Sequence, residues 1–153
     1  MVRVPIYTML LLVFIFLIVS CDSNRVYETN KSIGEGNWSM IDTACFEVDI
    51  VDTLSLNNFY INLRHSTSYK FSNIFLFFHT TFPNGYSTCD TLQILLADNT
   101  GKWIGSGMGK IKECRVLLKD RVQFPHSGVY SFCIEQAMRN EPLEGVEDNR
   151  YPN

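Results

Sequence analysis

The feature that most constrains the fold is a period-two alternation of apolar side chains, repeated in short runs from Thr43 onward. Phe46, Val48 and Ile50 alternate with Cys45, Glu47 and Asp49, and Phe59, Ile61 and Leu63 alternate with Tyr60, Asn62 and Arg64. Successive strand side chains point to opposite faces, so each run describes a strand with one buried and one wet face. Ile74-Phe75-Leu76-Phe77-Phe78 is apolar at every position, which predicts a central strand covered on both sides. Turn signals separate the runs at Pro83-Asn84-Gly85, Asp98-Asn99-Thr100-Gly101 and Pro125-His126-Ser127-Gly128, because Pro presets φ while Asn and Gly tolerate positive φ. They predict a strand over 88–97 hairpinned to the central one, another at Lys102-Trp103-Ile104 and another over 129–135. Val116, Leu118, Val122 and Phe124 predict one more strand or a bent pair, and 136–139 a single helical turn. With no amphipathic helix of useful length, the expected class is all-β, a single antiparallel β-sandwich of jelly-roll-like form.

The N-terminus sets the compartment. Arg3 is followed by an unbroken apolar run over 9–19, which ends at Ser20-Cys21 and turns polar at once with Asp22-Ser23-Asn24-Arg25. A run of eleven residues is well short of the roughly 20 that span a bilayer as a helix, so residues 1–20 read as a cleaved signal peptide. Ile18-Val19-Ser20-Cys21 resembles a bacterial lipobox, which implies that Cys21 becomes an acylated N-terminus. Only a thiol forms the thioether to diacylglycerol, and each buried acyl methylene contributes about 0.8 kcal/mol of membrane affinity. Residues 21–41 then read as the lipidated end and tether, 42–140 as the sandwich and 141–153 as a loose tail. Cleavage leaves 133 residues, enough for one domain with a single core.

Charge and spacing exclude several classes of function. The formal charge is −3, and without a basic stripe there is no electrostatic footprint for nucleic acid. No polybasic patch addresses lipid headgroups, so the lipid itself must hold the protein to the membrane. Gly101-Lys102-Trp103-Ile104-Gly105-Ser106-Gly107-Met108-Gly109-Lys110 has the glycines of a phosphate loop but not its spacing: Ile104 and Ile111 stand where a first Gly and a Ser or Thr belong. Strand glycines marking a bulge or close packing are the expected reading. His65, His79 and His126 lie in separate segments without a metal-ligand spacing, and no Gly-x-Ser-x-Gly elbow presents a nucleophile. Glu47 and Asp49 share a strand face that reads as solvated. No catalytic residue, metal or cofactor is expected. Trp38, Tyr60, Tyr69, Tyr86 and Trp103 would offer an aromatic platform if exposed together, so a surface carbohydrate-binding lipoprotein is the alternative reading. Besides Cys21, the chain holds Cys45, Cys89, Cys114 and Cys133, which permit three complete pairings or free thiols.

Taken in order and spacing, several segments resemble the gliding motility-associated lipoprotein family GldH of the Bacteroidetes. They are Tyr60-Ile61-Asn62-Leu63-Arg64-His65, Ser72-Asn73-Ile74-Phe75-Leu76-Phe77, Thr81-Phe82-Pro83-Asn84-Gly85, Asp90-Thr91-Leu92, Gly101-Lys102-Trp103-Ile104-Gly105-Ser106-Gly107 and Gly128-Val129-Tyr130-Ser131-Phe132. The resemblance implies a non-catalytic, outer-membrane-associated lipoprotein facing the periplasm, with envelope proteins of the motility and type IX secretion machinery as partners. The functional position it transfers is the lipidated Cys21. It also implies a further apolar strand after Gly145-Val146-Glu147-Asp148, where this chain reads Asn149-Arg150-Tyr151-Pro152-Asn153; a sheet edge or core face is then expected to stand uncovered. Finally, it implies a phylum that glycosylates Asp-Thr motifs, for which Thr43, Thr53 and Thr91 are the candidates.

Overall fold

The computed structural model describes residues 27–29, 31, 33 and 36–147; the signal peptide and Cys21 lie outside them. The described chain is all-β, with strands β1 Asn37–Trp38, β2 Ala44–Ile50, β3 Asn57–Ser66, β4 Asn73–Thr81, β5 Ser87–Leu95, β6 Ile111–Val122, β7 Gly128–Gln136, β8 Leu143–Glu144 and β9 Val146–Glu147. A four-stranded sheet has the order β2-β7-β4-β5, a three-stranded sheet the order β6-β3-β9, and β1 pairs with β8 as a small ribbon. Every pairing is antiparallel.

The two larger sheets make a sandwich because the alternation gives each an apolar face. Leu63 of β3, Ile74, Leu76 and Phe78 of β4, Ile94 of β5 and Phe132 and Ile134 of β7 are buried between them. Phe59 links the layers, meeting the rings of Phe132, Phe124 and Phe78 edge-on at centroid distances of 5.1, 5.9 and 6.3 Å. Such pairs add roughly 0.5–1.5 kcal/mol each beyond their burial.

β4 is central within its sheet, between β7 and β5, but it is not covered on both faces. Ile74, Leu76, Phe78 and Thr80 point inward, whereas Phe75, Phe77 and His79 point outward and Phe77 is 37% exposed. In a two-layer antiparallel sandwich no third layer lies over the outer face. Cys45 and Cys133 stand directly opposite each other on β2 and β7, and a disulfide joins them. Cys89 is free and exposed, and Cys114 is free and buried.

The domain is wider at both ends than the alternation indicates. Trp38, in the segment read as a tether, is fully buried and its indole N–H donates to the Asp42 carbonyl at 2.8 Å. Leu143 and Val146, in the segment read as a loose tail, are also buried, through β8 on β1 and β9 on β3. The expected helical turn at 136–139 is absent. There the Ala137 N–H continues the ladder to the Phe75 carbonyl, and the Gln136 side-chain carbonyl accepts from the Met138 N–H. Lys102-Trp103-Ile104 forms no strand; a single bridge joins Trp103 to Ala97, and the glycine-rich segment folds onto β6 through a bridge between Ser106 and Glu113. Gly105, at φ +107°, lies so close to β6 that a Cβ would sit 2.4 Å from the Glu113 carbonyl oxygen. Close packing at Gly105 and Gly107, and positive φ in open space at Gly101 and Gly109, account for the glycines of this loop.

Candidate binding groove

Among the described residues β2, β5, β6 and part of β3 have an open edge, and those of β2 and β3 border a common space. β2 ends the four-stranded sheet, and β3 is paired along its length by β6 but by β9 only at Arg64 and His65. Between these edges lies a cavity of about 600 Å³. Its walls are the inward side chains of β2, Phe46, Val48 and Ile50, and of β3, Phe59, Ile61 and Leu63. Tyr60 and Asn62, on the opposite face of β3, border the same space.

Backbone alternation fixes what the open edge of β3 presents. The Ser66 N–H donates toward β9, to the Gly145 carbonyl at 2.7 Å, and the Thr67 N–H donates to the β6 side, to the Lys110 carbonyl at 2.7 Å. Counting back by twos along a regular antiparallel strand, the N–H and C=O of Asn62 and Tyr60 face the open edge. No described residue pairs with them. Arg115 of β6 stacks over the Tyr60 ring at 4.3 Å. The leading segment borders the groove through Tyr27, Lys31 and Ile33, and the Lys31 ammonium donates to the Thr43 carbonyl at 3.2 Å.

The histidines do not converge. His65 is buried between Trp103, with ring centroids 4.7 Å apart, and Cys114, whose Sγ lies 3.9 Å from Nε2. Its Nδ1–H donates to the Ser66 carbonyl at 3.1 Å. Burial pushes its imidazole below the ordinary value, with the Ser66 carbonyl opposing that shift and Lys112 adding to it. Burial likewise raises the Cys114 thiol, the Glu113 charge adding to it. His126 sits in the turn before β7, where the Tyr130 hydroxyl donates to its carbonyl.

His79 lies on the outer face of β4, directly opposite Cys89 on one side and Cys133 on the other. The Glu135 carboxylate is 3.0 Å from its Nε2, and Cys89 Sγ is 4.0 Å from the same nitrogen. A nucleophile, base and orienting acid need the acid on the other ring nitrogen, so this row is not a relay. The row was hidden in sequence because strand register brings its members together. Glu47 and Asp49 are exposed on the edge strand β2. Among the described residues no group of three His, Cys, Asp or Glu side chains is placed to hold a metal.

Of the aromatic candidates, Trp38 and Tyr69 are buried, Trp103 packs against the core, and Tyr60 and Tyr86 are exposed. No common platform is formed. Thr91 is exposed on β5, whereas Thr43 and Thr53 are half-buried.

A family model described as GldH lipoprotein matches residues 25–149. The chain is 37% identical over 140 residues to a gliding motility lipoprotein GldH homolog of Christiangramia forsetii, covering 89% of this chain and 85% of that protein. It is 34% identical over 146 residues to the gliding motility lipoprotein GldH of Flavobacterium johnsoniae, covering 91% and 90%. No solved structure matches the chain.

Proposed function

The chain belongs to the GldH lipoprotein family, and from that premise we propose that it is a lipid-anchored, non-catalytic component of the gliding-motility machinery. The observation that carries this reading is that the family match runs over 25–149, the whole described domain. Acylated Cys21 holds the protein to the outer membrane, facing the periplasm, as an accessory subunit of the motility and type IX secretion apparatus that binds other envelope proteins.

Three features support the reading. The Cys45–Cys133 disulfide suits an oxidising compartment outside the cytoplasm. Cys21 and Tyr27 are six residues apart, a reach of roughly 20 Å when extended, which keeps the groove close to the membrane surface. The geometry at His79 favours a scaffold over an enzyme. Carbohydrate binding loses its main argument with Trp38 and Tyr69 in the core. Thr91, the exposed member of the three Asp-Thr motifs, is the one we assign to O-glycosylation.

The test is a clean deletion strain assayed for colony spreading and complemented with wild-type or Cys21→Ala protein. Loss of spreading that only the acylated form restores supports the reading; a deletion strain that spreads normally refutes it.

A further inference from the structure

We infer that the cavity between β2 and β3 binds one long acyl chain whose anionic head group rests at the cavity mouth. The inference goes beyond the motility reading and rests on the cavity alone.

The interior is apolar to its floor. Phe78, Phe132 and Ile134, from the inner face of the four-stranded sheet, complete a lining begun by the inward side chains of β2 and β3. Three successive inward positions on each strand extend over about 14 Å, at ~3.4 Å per residue, a length that suits a linear chain better than a ring. Among the described residues no buried side-chain nitrogen or oxygen lacks a hydrogen-bond partner, so the interior has no side-chain donor or acceptor to offer a polar ligand. A sugar or nucleotide placed there would leave its own polar groups unpaired. Water would fare no better, since a buried water makes about three hydrogen bonds, whereas apolar cavities take apolar guests. The volume of about 600 Å³ falls within the range of small-molecule sites, roughly 300–1,000 Å³.

The mouth is polar and cationic. Its exposed lining residues include Tyr27, Lys31, Tyr60, Asn62 and Arg115. The Lys31 ammonium gives one of its three donors to the Thr43 carbonyl. The Arg115 guanidinium lies over the Tyr60 ring at 4.3 Å, a contact with the ring face that leaves its N–H donors for an anion. Glu28 and Arg64 also line the cavity, and each has an interaction of its own, so the head group falls to Lys31 and Arg115. Lys31, Arg64 and Arg115 together outweigh the charge of Glu28, and the resulting field favours an anion. A guanidinium binds carboxylate and phosphate alike through paired hydrogen bonds. An acyl chain with either head meets both the interior and the mouth.

The test uses the full chain purified from membranes, in phosphatidylcholine nanodiscs, and palmitic acid carrying a mid-chain diazirine. Irradiation fixes the probe to whatever surrounds the middle of its chain, and mass spectrometry of the peptides locates it. A lysophosphatidate with the same diazirine chain runs in parallel, to tell a carboxylate head from a phosphate. Unlabelled palmitate and hexadecyltrimethylammonium, a cationic amphiphile of similar chain length, serve as competitors. Three variants accompany the wild type: Ile61→Trp, which fills the cavity, Arg115→Glu, which reverses a charge at an exposed position, and Cys21→Ala, which removes the chain's own lipid.

Saturable labelling within 46–50 and 59–63 is expected from at least one probe, displaced by palmitate but not by the cationic amphiphile, and weakened at least about tenfold by Arg115→Glu. Ile61→Trp should abolish it, and Arg115→Glu keeps the test sound if that variant fails to fold. The probe that labels more strongly identifies the head group. Four results would overturn the inference: no saturable labelling of these segments, label spread over the outer faces of both sheets, equal displacement by the cationic amphiphile, or labelling that appears only in Cys21→Ala, which would put the chain's own lipid in the cavity. Colony spreading is not read, so the outcome is independent of the motility proposal.

Discussion

The indole N–H of Trp38 donates to the carbonyl of Asp42 at 2.8 Å, with the Trp38 side chain fully buried. This one residue fastens the segment before β2 into the core and aligns β1 for pairing with β8. Trp38→Ala is expected to destabilise the fold by about 3–5 kcal/mol, the range for removing a large buried aromatic. Urea unfolding checks the value, and a change below about 1 kcal/mol would show that the segment is a tether after all.

Cys45 and Cys133 are 88 residues apart and joined across β2 and β7. Closing so long a loop restricts the unfolded chain, so Cys45→Ser with Cys133→Ser should cost about 2–4 kcal/mol. Thiol labelling gives a second check. In the folded protein a maleimide should modify Cys89, which is exposed, and spare Cys114, which is buried; Cys114 should react on unfolding. Mass spectrometry of the labelled protein distinguishes these states.

His65 gives a pH dependence of defined sign. Burial lowers its pKa from the ordinary 6.5, so the folded state keeps the ring neutral while the unfolded chain takes up a proton first. The stability is therefore fully present above about pH 6.5 and lost as pH falls toward the folded pKa. Asp52, Asp98, Glu141 and Glu144 also have lowered values, from 3.8 for the aspartates and 4.5 for the glutamates, through hydrogen bonds to neighbouring groups and, for Glu144, Lys70. They act only below those values, so the interval from pH 7 to 5 separates His65 from them. Urea midpoints should fall across it in the wild type and fall less in His65→Gln.

Gly105 stands where the backbone has φ +107° and a Cβ would lie 2.4 Å from the Glu113 carbonyl oxygen. Gly105→Ala is expected to lower stability by more than about 1 kcal/mol through strain and collision together. Gly101, also at positive φ but with open space around it, is the control. Gly101→Ala carries the backbone strain without the collision and should cost less in the same thermal melt.

These contrasts show what the alternation could convey. β2, β3 and β7 were legible because each is a two-faced strand, and the hairpin of β4 with β5 because Pro83-Asn84-Gly85 marks its turn. The apolar run of β4 misled, since Phe75 and Phe77 mimic the second buried face of a strand that has one. β1, β8 and β9 are each two residues long, too short for any period, and only their tertiary partners create them. The groove was not legible: among the described residues β9 pairs with β3 only at Arg64 and His65, a tertiary pairing that no local pattern carries. Likewise the row of Cys45, Cys133, His79 and Cys89 depends on register across four strands, which no local pattern carries.

The most direct test of the central claim is in-cell crosslinking of the tagged protein, followed by identification of what co-purifies, with Cys21→Ala as the unanchored control. The account predicts enrichment of motility and secretion proteins of the envelope, lost when the anchor is removed. Recovery of glycan alone, or of the same proteins from the unanchored form, would contradict it.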